Sequence, residues 1–285
     1  VAGRACGCAV ARRGRGGRAG RGKRLARAAG LYLGLPGLAV ALGALAAGRD
    51  LPDPVLALVA LLLVLPMGPL LYRVAFRPIA DAPVLVLLIV SVVLHFALSG
   101  VALMAFGPEG MRPRALVEGS FEIGEMIVSG QEALMLGASA VATALLALFL
   151  GRTLAGKALR ATAVNRVGAR LVGIRPGVTG SVAFALGALL AGVSGVLIGP
   201  LNTLAYDSGF ILGLKAFVGA IIGGLVSAPG AVAGALFVGL LESFTAFWSS
   251  AFKEVVVFAL LVPVVVARSL IAPTGEEFDE EEDRA

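Results

Sequence analysis

Apolar residues in this chain are gathered into unbroken blocks of about 17 to 23 residues, the length that carries a helix across a hydrocarbon layer of about 30 Å at about 1.5 Å per residue. No other property narrows the fold so far. The blocks fall at 31–48, 55–72, 84–106, 132–151, 180–199, 211–227, 230–248 and 253–271. Hydrophobic residues make up 58% of the chain and charged ones 15%, against about 45 to 50% and about 25% in soluble domains, so the excess apolar surface has to meet lipid. The expected fold is an all-α membrane protein, a polytopic bundle of about eight transmembrane helices over residues 31–271. Connections such as Arg49-Asp50-Leu51-Pro52-Asp53-Pro54 and Ser227-Ala228-Pro229-Gly230 are short and rich in proline or glycine, the composition of turns.

The formal charge of +6 separates into opposite ends. Residues 1–30 hold Arg4, Arg12, Arg13, Arg15, Arg18, Arg21, Lys23, Arg24 and Arg27 with no acid, and read as a basic disordered arm. Residues 272–285 read as an acidic cytoplasmic tail, with Glu276, Glu277, Asp279, Glu280, Glu281, Glu282 and Asp283. The arm is not followed by a small-residue cleavage site and a soluble domain, so it lacks the pattern of a secretory signal. Cytoplasmic loops concentrate Lys and Arg. With the arm inside, eight crossings place Arg73, Arg77 and the run Arg152, Lys157, Arg160, Arg166, Arg170, Arg175 inside as well. The loop 107–131, with Glu109, Glu118, Glu122 and Glu125 against Arg112 and Arg114, then falls outside, together with Asp207 and Glu254. The expected location is a plasma membrane of the bacterial inner-membrane type, crossed many times, with both termini cytoplasmic.

Enzyme chemistry finds little support. The chain has no Walker-type glycine loop, no paired-histidine metal motif and no nucleophile elbow. Neither a catalytic residue nor a cofactor is expected, and Cys6 and Cys8, without a second pair, make no metal site. His95 lies within the third block, where a lone imidazole either bonds across helices or serves a site, and the sequence offers it no partner. Nucleic-acid binding by the Arg/Gly-rich arm is not expected, because no aromatic residue precedes Tyr32 to stack a base. Contact with anionic membrane lipid suits the arm better.

Three features remain. Glycines recur four apart at Gly195 and Gly199, Gly209 and Gly213, Gly219 and Gly223, and Gly230 and Gly234, the spacing either of close helix packing or of interrupted helices along a pathway. Lys215 and Glu242 lie inside apolar blocks at about 6 to 9 Å from the same boundary, counted at about 1.5 Å per residue, so an ion pair is one outcome and separate snorkelling to the headgroups the other. The basic connector 152–177 is long enough for a short helix beside the membrane, yet as one continuous helix it would set Arg166 and Arg170 on the face of Leu159 and Ala163, leaving no amphipathic stripe.

The order of several short motifs carries a resemblance. Arg73-Val74-Ala75-Phe76-Arg77-Pro78 comes first, then Gly156-Lys157-Ala158-Leu159-Arg160-Ala161 through Asn165 to Leu171-Val172-Gly173-Ile174. Gly213-Leu214-Lys215-Ala216-Phe217 follows, then Gly223-Gly224-Leu225 with Pro229-Gly230-Ala231, Lys253-Glu254-Val255 and Pro273-Thr274-Gly275. Across residues 72–275 the chain resembles the inner-membrane permeases of branched-chain amino-acid ABC transporters, the LivH/LivM type, and its Gly-Leu-Lys-Ala-Phe segment is more similar to the LivH partner. The resemblance implies a permease subunit of an importer, driven by separate cytoplasmic ATPase subunits. It also implies a second permease subunit, in a hetero- or homodimer, and an extracytoplasmic solute-binding protein. It assigns Arg160, Ala163, Asn165, Arg166, Gly173 and Ile174 to an ATPase-docking loop, and Lys215 and Glu242 to the translocation bundle. The family's usual opening segment does not occur before Tyr72, so residues 1–30 are expected to depart from the family pattern, as a truncated or mis-framed start would. The competing expectation is an ion-coupled secondary transporter of a small amphipathic solute, which calls for repeated halves and ionisable residues at mid-membrane. A third class is an intramembrane enzyme or scaffold, for which Lys215 with Glu242 is the sole candidate pair.

Overall fold

The computed structural model describes residues 52–80, 82–124, 126–224 and 228–271. The block expected at 31–48, the arm 1–30, the tail 272–285 and both cysteines lie outside the described residues. Helix α1 (Asp53–Val64) leads through Leu65 and Pro66 into α2 (Met67–Leu71), and a π turn at Tyr72–Phe76 completes that span. Then come α3 (Val84–Phe106), a hairpin of β1 (Ser120–Ile123) and β2 (Met126–Ser129), α4 (Gly130–Arg152), α5 (Leu154–Val164), α6 (Arg166–Leu171) and α7 (Pro176–Ile198). The chain continues with α8 (Ser208–Gly223), α9 (Ala228–Trp248), a 3-10 turn at Ser250–Phe252 and α10 (Lys253–Ile271).

Among the described residues five helices are long and apolar enough to cross a membrane: Asp53–Phe76, Leu85–Phe106, Gly130–Arg152, Pro176–Ile198 and Pro229–Trp248. They coincide within a few residues with the blocks expected at 55–72, 84–106, 132–151, 180–199 and 230–248. The block expected at 211–227 is occupied by α8, which begins earlier and has 16 residues, about 24 Å at about 1.5 Å per residue. Gly224 stops it by taking φ +89, a conformation that a Cβ would oppose. The final block coincides with α10, which carries Pro263 inside it.

The hairpin is a departure from the all-α expectation. Phe121 pairs with Val128 and Glu122 with Ile127 in antiparallel register, and Gly124 turns the chain at φ 69. Alternating aromatic and β-branched residues around a glycine favour a strand pair even in a short loop.

The chain divides into two compact units. The first comprises Val1–Leu87, Pro113–Gln131 and Thr162–Leu201. In it α7 packs along α1, α2 and the π turn. Tyr72 is buried against Gly180, which has no side chain to displace it, and its hydroxyl reaches the Pro176 carbonyl at 3.4 Å. Phe184, one turn further along α7, meets Tyr72 with ring centroids 5.3 Å apart and Phe76 at 4.8 Å. In the π turn Arg77 N–H bonds to the Tyr72 carbonyl, five residues back, at 2.7 Å. At the other end of α7, Gln131 is 2% exposed. Its Oε1 accepts from Leu116 N–H at 3.0 Å and its Nε2 donates to the Leu197 carbonyl at 2.9 Å, so one side chain ties the hairpin loop to α7.

The second unit comprises Leu88–Arg112, Glu132–Ala161 and Asn202–Ala285. Its centre is α8, α9 and α10, closed by Val218, Val238 and Val257 at 1%, 3% and 0% exposure. Helices α8 and α9 run antiparallel at close range: a Cβ on Gly219 would lie 2.8 Å from the Ala235 Cα, and Gly223 meets Gly230. Where lipid already solvates apolar side chains, such backbone proximity is what holds helices together.

Two outcomes follow for stability in detergent. Gly180→Val, which drives a branched side chain into the Tyr72 ring, lowers thermal stability by about 1–3 kcal/mol or more, and Tyr72→Ala in the same chain recovers part of it. Gln131→Ala leaves the Leu116 N–H and Leu197 carbonyl without their partner and costs about 1–3 kcal/mol, read as an earlier unfolding midpoint.

Candidate functional site

Lys215 and Glu242 are brought together. Lys215 Nζ on α8 donates to Glu242 Oε1 on α9 at 2.6 Å, with side chains 17% and 25% exposed. A third charge joins them, for Glu254 in the first turn of α10 places its Oε1 3.8 Å from the same nitrogen while remaining 44% exposed. One ammonium therefore faces two carboxylates drawn from the remaining two helices of the group. The triad lies one helical turn from the closed valine layer, since Lys215 and Val218, Glu242 and Val238, and Glu254 and Val257 are three or four residues apart. The ion pair thus caps a dry core. Away from water the attraction between such charges is strong and screened little by salt, and each carboxylate or ammonium left alone there is costly.

Of the glycines spaced four apart, Gly199, Gly219, Gly223 and Gly234 are packing surfaces. Gly195, Gly209 and Gly213 have no atom within 4 Å of where a Cβ would stand. All three lie within continuous helix, so no interruption occurs at them. His95 gains neighbours that sequence did not supply: its Nε2 lies 3.3 Å from Ser99 Oγ, and its ring stacks on Phe210 of α8 at 4.6 Å and 20°.

The connector 152–177 contains two helices in place of one. Asn165 is extended, ends α5, and caps α6 by accepting from Gly168 N–H at 2.7 Å. At the far end Ile174 N–H bonds to the Ala169 carbonyl at 3.0 Å and Gly173 N–H to the Arg170 carbonyl at 3.1 Å, with Gly173 at φ +85. This double closure requires a residue tolerant of positive φ at 173. Asn165, Gly173 and Ile174 thus define where α6 starts and stops. The projection as one continuous helix fails at Asn165, where the axis breaks.

The remaining members of the expected docking set have different surroundings. Arg160 and Ala163 are exposed on α5. Arg166 turns inward and donates from Nη1 to the Ala80 carbonyl. Sequence reasoning passed over the apolar surface of this segment: Val164 is 88% exposed, Val167 61%, Leu171 84% and Val172 75%. Large apolar residues inside a basic loop were the available signal. Among the described residues no group of three or more His, Cys, Asp or Glu could hold a metal ion.

Apolar helices of membrane-crossing length, joined by glycine contacts and carrying a half-buried ion pair, define a multi-pass membrane protein. Over residues 25–265 the chain matches the family described as branched-chain amino acid transport system, permease component, and it belongs to that family. The match takes in the apolar block at 31–48, so the family resemblance reaches further towards the amino terminus than the legible motifs, which began at Tyr72. The chain is 31% identical over 210 residues to the high-affinity branched-chain amino acid transport system permease protein LivH of Escherichia coli K12, covering 71% of this chain and 67% of the relative. It is 32% identical over 210 residues to BraD of Pseudomonas aeruginosa, a permease protein with the same description, with the same coverage. A probable LivH of Methanocaldococcus jannaschii is 32% identical over 132 residues, 45% of this chain and 42% of the relative. No solved structure matches the chain.

A double-mutant cycle on Lys215→Met and Glu242→Gln is expected to show a coupling of about 1–3 kcal/mol in detergent stability. Glu254→Gln, at longer range and more exposed, changes stability by less than about 1 kcal/mol.

Proposed function

We propose that this chain is the membrane-embedded permease subunit of an ABC importer for branched-chain or related amino acids. Membership of the permease family carries the reading, and the close relatives named as branched-chain amino acid permeases supply the solute. The working assembly contains cytoplasmic ATPase subunits, a second permease subunit and an extracytoplasmic solute-binding protein. The subunit crosses an inner membrane about eight times, the block at 31–48 together with α8 and α10 completing the five long apolar helices. Both termini face the cytosol, in accord with the concentration of Arg and Lys in 152–177.

In this arrangement α6 and the end of α5 face the ATPase. Val167 and Leu171, four residues apart and solvent-exposed, form the apolar knob that a groove on the ATPase receives, and Arg160 and Ala163 on α5 belong to the same docking loop. Asn165, Gly173 and Ile174 set the two ends of the helix that carries the knob. ATP binding and hydrolysis favour one opening of the bundle over the other only if the ATPase contacts α6 differently in the two states. Lys215 and Glu242 belong to the translocation bundle as the lock that keeps α8 and α9 in register. With a charge triad over a closed valine layer, the axis of α8, α9 and α10 is filled, which favours a solute route beside that group.

In the assembled complex, Val167→Asp combined with Leu171→Asp is expected to reduce the ATPase recovered with this chain at least about ten-fold, equivalent to about 1.4 kcal/mol of binding. A cysteine at position 171 is expected to react with an impermeant maleimide only from the cytoplasmic side.

A further inference from the structure

We infer that Arg166 is a positioning residue for energy coupling: it ties α6 to the segment that follows the first described span, so that a displacement of α6 is carried into that span. The inference rests on α6 being the ATPase-docking helix.

A helix of six residues has too few internal hydrogen bonds to hold its own place. What orients α6 is therefore what it is fastened to. Its carboxyl end is continuous with α7 through Val172, Gly173, Ile174 and Arg175, a link that by itself lets a short helix swing. Its amino end follows α5 directly at the Asn165 cap and is in addition fastened by the Arg166 guanidinium on the Ala80 carbonyl. Ala80 follows Pro78 and the π turn, and that turn is wedged on α7 through Phe76 on Phe184 at 4.8 Å and through Tyr72 in its seat at Gly180. The contacts close into a ring from α6 through α7 and the π turn to Ala80, and back through Arg166.

A closed ring changes what a push on α6 does. With the ring intact, α6 cannot tilt on α7 alone, because Arg166 makes Ala80 and the π turn move with it. With the ring opened at Arg166, α6 pivots about the link at 172–175 and the push is absorbed there. The π turn suits this role, since its bonding one residue out of step with the α-helix gives the span a place to yield. The guanidinium is suited to its part as well: it is charged at every physiological pH, and its planar fork holds an oxygen in a fixed direction. Val167, the next residue, faces out and is 61% exposed, so neighbouring positions serve opposite purposes, one for the partner and one for the span.

The test uses the complete importer in proteoliposomes with external binding protein, internal ATP and labelled leucine, and measures leucine imported per ATP hydrolysed. Arg166→Met is expected to keep the ATPase bound and hydrolysing within about two-fold of the unaltered complex, while leucine uptake falls at least about ten-fold. Arg166→Lys, which keeps the charge with shorter reach and no fork, is expected to give an intermediate ratio. Unchanged uptake in Arg166→Met overturns the inference. So does loss of the ATPase from that variant, which would make Arg166 a docking contact. If Arg166→Met does not accumulate in membranes, the lysine variant decides alone, and a leucine-to-ATP ratio equal to the unaltered complex overturns the link. Failure of the docking reading is separately visible: Val167→Asp with Leu171→Asp would then leave the ATPase bound.

Discussion

Helices whose outer surfaces are already solvated by lipid gain little from burying apolar side chains against each other, so a few close or polar contacts decide the arrangement of this chain. That constraint explains why so few residues are fully buried and why those few are so specific. Gly219 against Ala235 lets two backbones meet, Gly180 accepts a whole phenol ring, and Gln131 spends both ends of its amide on backbone groups. Each contact is made where water cannot compete for it, which is what gives a single hydrogen bond or missing methyl group its influence.

The same reasoning separates the charges by task. Lys215 lies among apolar helices and is held by a carboxylate at 2.6 Å, with a second within 3.8 Å. A charge in that position is a commitment between helices, because moving either helix strands an ion. Arg166 instead reaches a backbone carbonyl, that of Ala80, in the segment after the π turn. The first holds α8 to α9, and the second joins a six-residue helix to a distant stretch of the same compact unit.

Much of this was legible in the sequence where a signal is local. Block length identified the helices Val84–Phe106 and Lys253–Ile271 to the residue, because an apolar run bounded by polar or proline residues leaves a helix little freedom in where to end. Equal depth brought Lys215 and Glu242 to the same level. Depth is only one coordinate, however, and the azimuth that turned them towards each other is set by Gly219 and Gly223 against α9, a packing outcome with no one-dimensional signature. Glu254 was placed on the outer side at the start of the last apolar block with no partner named, and the fold brings it to Lys215. The docking loop is a different case. Its residues were chosen by family wording; in the fold Asn165, Gly173 and Ile174 shape the two ends of α6, while the exposed apolar surface between them, Val167 and Leu171, looks in the sequence like ordinary helix filling.

A transporter sits across an ion gradient and must not discharge it. Relay of protons along a protein interior needs hydroxyls, carboxylates, imidazoles or water at intervals of a few ångströms. Beneath the carboxylates of Glu242 and Glu254 come Val218, Val238 and Val257, at 0 to 3% exposure and with only hydrocarbon to offer. Among the described residues this three-helix group offers no continuous polar path through the valine layer, so it can carry charged groups on one side of that layer without leaking current.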